Sequence, residues 1–348
     1  MVRGRKIKLA AAVLAAAVLL GGCAASTTRT VVIGESGGST SISVAGITEL
    51  GSDKNYIGLN AGGEPIYMER SKDGASFYAD GSSEAIATIT GRVKSAKVVD
   101  EGDSLLVRTK KDGEGTVYLV DLEEREQEKI GSFAEEDIAV EADWVDLCAS
   151  YILLQDGSYS VVSYYDETAS EQSLENLAEP YLVGMVNQMN VALLDAYFCS
   201  NGRYVVQFQK DGKTMLAIVD PRENATYEYI VTECDSDKTA AAGNLVYYKK
   251  GDDTLMAVDM ERNETWALAE HVEQFAVEDD LVVYTVAQGN SQRVYARRAT
   301  ETDGAVVDVR KNVTQLYLTG TNLMVKYAEL DENGRQRTGY AVFRLQLG

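Results

Sequence analysis

Few residues in this chain are equipped for acid–base, metal or thiol chemistry, and their spacing does not favour it. The 348 residues include one histidine, His271, and four cysteines, Cys23, Cys148, Cys199 and Cys234. The cysteine spacing matches no zinc pattern. A Ser-His-Asp triad would have to use His271, which enters an apolar run in ALAEHVEQFAVED and reads as a structural or surface histidine. No phosphate loop, dinucleotide fingerprint or HExxH helix occurs. Carboxylates are plentiful: Asp100-Glu101 with Asp103, Glu135-Glu136-Asp137, Asp252-Asp253 and Glu278-Asp279-Asp280. None has calcium-loop spacing, and nearly all fall in turn-like stretches, where acids are ordinarily solvated. Sugar cleavage by paired carboxylates stays open, because acids distant in sequence meet where turns converge. The residues therefore imply no cofactor and no metal, and a binding role ahead of a catalytic one.

The N-terminus sets the compartment. Arg3, Arg5, Lys6 and Lys8 precede the apolar run Leu9–Leu20, which is too short to span a bilayer and reads as a secretory signal. Leu20-Gly21-Gly22-Cys23 resembles the bacterial lipoprotein lipobox, and the resemblance implies lipidation of Cys23, with residues 1–22 as the signal peptide. Two or more acyl chains give a stable membrane anchor, so the expected place is the extracytoplasmic side of a bacterial membrane. Removing the leader with its four cations takes the formal charge from −21 to −25. Such acidity excludes nucleic acid, whose backbone demands Lys and Arg, and excludes electrostatic adsorption to anionic lipid. A basic patch on a partner is compatible with it.

The elements that would position any site are strands. An apolar strand, a Gly-containing turn and a second apolar strand recur seven times, at 56–70, 105–121, 151–166, 204–220, 245–259, 281–298 and 323–344. The turn glycines Gly62, Gly113, Gly157, Gly212, Gly251, Gly289 and Gly334 lie 38 to 55 residues apart, close to the roughly 40–50 residues of a four-stranded blade. Apolar stretches such as Ala192–Phe198 and Val272–Val277 precede the hairpins and supply a first strand. Asp-initiated turns at Asp121, Asp220 and Asp259 lead to a fourth, with the Asp side chain capping the turn. Runs such as Met215–Val219 and Leu281–Tyr284 are continuously apolar, as for strands buried on both faces. The prediction is an all-β chain: a seven-bladed β-propeller of four-stranded antiparallel blades over residues 30–348. Its seventh unit lacks an outer strand, and Thr30–Gly34 is expected to supply it and close the ring. Residues 23–29 then form a tether of at most about 25 Å.

The repeats, best seen in SNGRYVVQFQKDGKTMLAIVD (200–220), resemble those of TolB-type and WD40-like β-propellers in exported lipoprotein form. The likeness is at the level of the repeat; the WD dipeptide is absent. It implies a module that binds a protein or small ligand. An enzyme of hydrolase or lyase type with its site in the central channel is the alternative, and a sensor ectodomain subunit is another. The binding reading expects no clustered, perturbed carboxylates at the channel mouth, and the enzyme reading requires them.

Two further features are specific. The stretch 166–190 is the longest connection and carries Tyr181, Met185 and Met189 beside Pro180. Long loops on rigid scaffolds tend to be functional, and Tyr and Met are enriched at interfaces. One reading makes these three residues partner contacts, and the other makes 181–186 an ordinary outer strand. Cys148 and Cys199 both precede the turn after a first strand, in adjacent units and on one face. They are the candidate disulfide, with Cys234 free on the opposite face.

Overall fold

The computed structural model describes residues 41–134, 138–144, 149–155, 158–163, 192–198, 204–219, 229–232, 234–262, 264–330 and 333–348. Over these residues the chain is strand almost throughout, with one 3-10 turn at Asp100–Gly102. Five four-stranded antiparallel sheets and one seven-stranded sheet follow each other along the sequence. Strands within each hairpin unit are designated A to D from the inner to the outer position.

Unit 1 comprises Asn55–Leu59, Pro65–Arg70, Gly74–Ala79 and Ala87–Thr90, and unit 2 Arg92–Val99, Ser104–Lys111, Glu114–Asp121 and Gln127–Ala134. Unit 3 comprises Ile138–Trp144, Ala149–Gln155 and Ser158–Ser163, and unit 4 Ala192–Phe198, Tyr204–Lys210, Lys213–Val219 and Tyr229–Thr232. Units 3 and 4 form one sheet because Ala142–Trp144 and Ala196–Phe198, both on A strands, pair in parallel. Unit 5 comprises Cys234–Ala242, Leu245–Lys250, Leu255–Asp259 and Glu264–Ala269, and unit 6 Val272–Glu278, Leu281–Gln288, Ser291–Arg298 and Ala305–Arg310. Unit 7 comprises Val313–Thr319, Asn322–Leu330 and Gln336–Leu347, with Ile42–Leu50 as its D strand.

Burial follows position in the sheet. The B strand Leu281–Gln288 is buried continuously from Leu281 to Thr285, whereas the D strand Ala87–Thr90 alternates buried and exposed. A middle strand has a sheet on either side and an outer strand has water on one. Apolar clusters fill the spaces between units: Phe77 and Val107 between units 1 and 2, Leu216 and Val246 between 4 and 5, Leu255 and Val282 between 5 and 6, and Val294 and Phe343 between 6 and 7. Burying each such side chain is worth roughly 1.5–3 kcal/mol.

The first and last units also meet. Tyr56, Leu59, Met324 and Tyr340 form one cluster, with Tyr56 edge-on to Tyr340 at 4.9 Å. Thr319 Oγ1 donates to the Leu59 carbonyl at 3.4 Å. Polar contacts inside unit 1 hold the aromatic residues of this seam. Lys54 Nζ bonds Asp80 at 2.7 Å while lying 4.2 Å over the Tyr67 ring, and the Tyr56 hydroxyl donates to the same carboxylate at 2.8 Å.

Two sequence expectations are corrected. The outer strand of unit 7 is Ile42–Leu50, paired from Ile42↔Leu347 to Leu50↔Tyr340; Thr30–Gly34 lies outside the described residues. The run ISVAGITEL has too few large apolar residues to read as a core strand, but a D strand needs only an alternating face, and Ile42 and Ile47 supply it. Arg310 fastens this strand by bonding both Glu49 and Asp308, and the Tyr327 hydroxyl donates to Glu49 at 3.1 Å. The second correction is in unit 1, where the turn at Gly62 joins strands A and B. The B–C turn there is Ser71-Lys72-Asp73, before Gly74. Lys72-Asp73-Gly74 repeats the Lys111-Asp112-Gly113 and Lys210-Asp211-Gly212 triplets, so the signal for the correct frame stood in the sequence.

Candidate functional site

Among the described residues, the antiparallel order of the sheets puts the A–B and C–D turns on one side and the B–C turns on the other. On the A–B side, turns from different units interlock. The Ala61 N–H of unit 1 donates to the Gly102 carbonyl of unit 2 at 3.0 Å. Asp100, Glu101 and Gly102 are consecutive left-handed residues, with φ of 60°, 48° and 97°. Glycine is required at 102, because a Cβ there would stand 2.3 Å from the Ala61 nitrogen. Two non-glycine residues in this conformation cost of order 1–2 kcal/mol each. They persist because the Asp103 N–H to Asp100 carbonyl bond (2.8 Å) and the Leu122 N–H to Asp103 carbonyl bond (2.9 Å) hold the turn. Strain of this kind concentrates at functional positions.

Glu278 ends the A strand of unit 6 and is half-buried. Burial raises its carboxyl, the Gly320 N–H of unit 7 opposes that, and the charges of Asp279 and of Glu101 in unit 2 add to the rise, giving about 7. Carboxylates from units 2 and 6 thus share one electrostatic neighbourhood. The adjoining residues are fixed from below. The Tyr247 hydroxyl donates to the Asp279 carbonyl at 3.2 Å, and that phenol is pushed upward by burial together with Asp280 and Asp279. Arg298 neutralises Asp280 with 2.8 Å contacts to both carboxylate oxygens. Asp279 itself is exposed.

Chemically, this side offers a carboxyl that burial raises to about 7, beside two further acids. That differs from the expectation that the turn acids are merely solvated; Glu278 is a single raised carboxyl and not a cluster of them. Of the four acid clusters read from the sequence, the structure brings Asp100–Asp103 and Glu278–Asp280 to the same side. Asp252-Asp253 sits on the B–C side, and Glu135–Asp137 lies outside the described residues. Among the described residues no group of three His, Cys, Asp or Glu side chains could hold a metal ion. His271 is exposed in the turn before Val272, at φ 57°.

Cys23, Cys148, Cys199, Tyr181, Met185 and Met189 all lie outside the described residues. Cys234 is buried at the start of an A strand, away from the A–B turns, where its Sγ accepts from Gln207 Nε2 at 3.5 Å. The capping role of the C–D aspartates is borne out at two of three positions: Asp121 Oδ1 accepts from the Glu123 and Glu124 N–H groups at 2.9 and 2.7 Å, and Asp259 Oδ1 from Glu261 and Arg262 at 2.9 and 3.0 Å. Asp220 is outside the described residues. Sequence reasoning identified the A–B turns singly and missed their convergence, since units 2 and 6 are distant in sequence and neither turn contains the Gly320 amide.

No protein-family model matches the chain, and no curated protein matches it in sequence. Solved structures do. Over 84% of its length the chain is similar to 50% of a prolyl endopeptidase chain, at 10% identity and a TM-score of 0.54. It therefore spans half the length of that protein. Over 82% of its length it is similar to 94% of an uncharacterised protein of Listeria monocytogenes EGD-e, at 11% identity and a TM-score of 0.53. TolB from Acinetobacter baumannii aligns with 84% of this chain and 65% of its own, at 11% identity and a TM-score of 0.40. At these identities the likeness of the first two concerns the fold alone, and it agrees with the sheet order in an all-β fold of repeated four-stranded antiparallel sheets.

Proposed function

We propose that the chain is a seven-bladed propeller closed by Ile42–Leu50 and held outside a bacterial membrane by lipid on Cys23. In this reading it serves as a binding or scaffold module whose working surface is the A–B side. One observation carries the reading: the A–B turns of units 1, 2, 6 and 7 interlock into a rigid, strained, acidic mouth. The closure is supported by contact of unit 1 with unit 7 and by the seven B–C hairpins. Among the described residues no helix is long and apolar enough to cross a membrane, so attachment rests on the lipobox. A basic protein segment is the partner such a surface selects, since like-signed partners are repelled.

The geometry also orients the module. Ile42 pairs with Leu347 at the A–B side, so the segment leading back to Cys23 leaves from the acidic side. Its reach from Cys23 to Ser41 is at most about 65 Å, far more than the roughly 25 Å expected when Thr30 began the closing strand. Anionic lipid repels the acidic mouth, and a tether of this reach leaves room for a basic partner between mouth and membrane.

The test is capture from detergent-solubilised envelope by the tagged full chain, followed by mass spectrometry. The expected result is a basic protein whose retention falls as salt rises, with Cys23→Ser moving the chain to the soluble fraction. Capture of nothing, or of partners indifferent to salt, overturns the reading. A second reading, a hydrolase or lyase working at the mouth, is favoured by the raised carboxyl of Glu278, which is a general acid near neutral pH. Under that reading Glu278→Gln abolishes turnover while leaving partner capture intact.

A further inference from the structure

Away from the mouth, a cleft of about 420 Å³ opens on the A–B side between units 5 and 6. It is lined by Asn244 and Leu245 at the A–B turn of unit 5, Asp259 and Arg262 at its C–D turn, Glu264 and Trp266 on its D strand, and Thr300 of unit 6. Its volume falls within the roughly 300–1,000 Å³ of small-ligand sites. We infer that this cleft binds the neutral pyranose ring of a glycan, with Trp266 as its platform.

The argument begins with the indole. Trp266 Nε1 already donates to the Ala299 carbonyl at 3.0 Å, and the side chain packs against the cluster that contains Leu255, Leu268 and Val272. The ring is therefore fixed in place, and with its N–H committed it presents carbon surface to the cleft. A fixed platform costs a ligand less ordering than a mobile one. A pyranose has an apolar face of C–H groups that stacks on such a surface, and a rim of hydroxyls that both donate and accept.

The rim of the cleft matches those hydroxyls. Arg262 donates only, Glu264 accepts only, and Thr300 does both; Asn244 Nδ2 already donates to Glu261 Oε2 at 3.4 Å. Arg262, Glu264, Asn244 and Thr300 are all exposed to solvent. Asp259 contributes less, because Oδ1 is taken by two turn N–H groups and Oδ2 lies 3.8 Å from Arg262 Nε. The mixture of signs decides the ligand class. A cationic ligand meets Arg262, and a uronate meets Glu264 and Asp259, whereas a neutral hydroxylated ring meets neither conflict. This site is independent of the reading of the mouth, since it uses none of the same residues.

The chain has two tryptophans, Trp144 and Trp266, so fluorescence reports directly on the cleft. The full chain is titrated with N-acetylchitotriose and maltotriose as neutral probes, trigalacturonate as the anionic probe and hexalysine as the cationic one. A saturable emission change with at least one neutral trisaccharide is expected, and none with trigalacturonate or hexalysine. Arg262→Ala, at an exposed position with no core contact, weakens that binding by about tenfold. Trp266→Phe removes the emission change and lowers affinity measured by calorimetry, while Lys210→Ala on the other side changes neither. Calorimetry on Arg262→Ala keeps the test decisive if Trp266→Phe fails to fold. Absence of saturable binding with both neutral probes, preference for a charged probe, or full retention in Arg262→Ala overturns the inference.

Discussion

On the B–C side of the sheets the turns carry their own counter-ions. Lys72 precedes Asp73, Lys111 precedes Asp112, Lys210 precedes Asp211, and Lys249 reaches Asp253 at 2.7 Å. On the A–B side, Asp100, Glu101 and Asp103 of unit 2 and Glu278, Asp279 and Asp280 of unit 6 occur with no Lys or Arg in the same turns; Arg298, from the neighbouring strand, pairs with Asp280. Titration separates the sides in the same way. Bonds from Thr254 hold the Asp252 carboxyl below its usual range, so it stays charged. Burial holds Glu278 well above that range. The two sides are built from the same hairpins, so this contrast is a property of sequence placed on the repeat and not of the repeat itself. Acids gathered in the same turns raise self-repulsion, and a surface that keeps them is better explained by what it meets than by what it stabilises.

The contrast is open to direct attack. The largest effect is expected at the paired glycines. Gly102→Ala combines a left-handed backbone with a Cβ against the Ala61 nitrogen and costs about 3 kcal/mol or more. Gly113→Ala on the other side, at φ 87° with open space around it, costs only about 1 kcal/mol. Urea melts of the two variants measure the difference, and equal costs would mean that the A–B turns are not interlocked.

Glu278 comes next. The folded chain holds this proton up to about pH 7, whereas the unfolded chain releases it near the ordinary 4.5. Stability is therefore lost as pH rises from about 4.5 through 7. Glu278→Gln keeps an acceptor for Gly320 and removes that loss. Allowing for solvent screening of this half-buried group, the gain is about 1–2 kcal/mol at pH 8 and near zero at pH 4. Melting the two proteins across this range checks both sign and window. Asp259→Ala deletes a turn cap and costs about 1 kcal/mol. The smallest effect is Lys210→Glu on the B–C side, under about 0.5 kcal/mol by the same melts.

Much of the repeat was legible because it depends on local signals. Turn triplets such as Lys210-Asp211-Gly212 and continuous apolar runs such as Leu281–Tyr284 fall on the B–C hairpins and B strands where expected. The closing strand was misplaced because an outer strand has one wet face, and Ile42–Leu50 dilutes its apolar residues with Ser43, Ala45, Gly46 and Thr48. The frame of unit 1 slipped because two glycine-bearing turns, at Gly62 and Gly74, flank its second strand. The site was the least legible part. Glu101 and Glu278 are neighbours only through the succession of units 6, 7, 1 and 2, and the amide that tunes Glu278 belongs to a glycine. Trp266 carried no motif at all, and its meaning comes from Asn244 and Thr300, which folding brings beside it.

The central claim is that the acidic A–B side is the working surface. Its most direct test is partner retention on the immobilised full chain across a salt gradient, for wild type and two charge-reversed doubles. Asp103→Lys with Asp279→Lys alters exposed acids of the A–B turns, and Asp112→Lys with Asp211→Lys alters the B–C turns. The account predicts at least a tenfold loss of retention, on the order of 1.4 kcal/mol, in the first double and wild-type behaviour in the second. Equal retention by both doubles, or loss confined to the second, would contradict it.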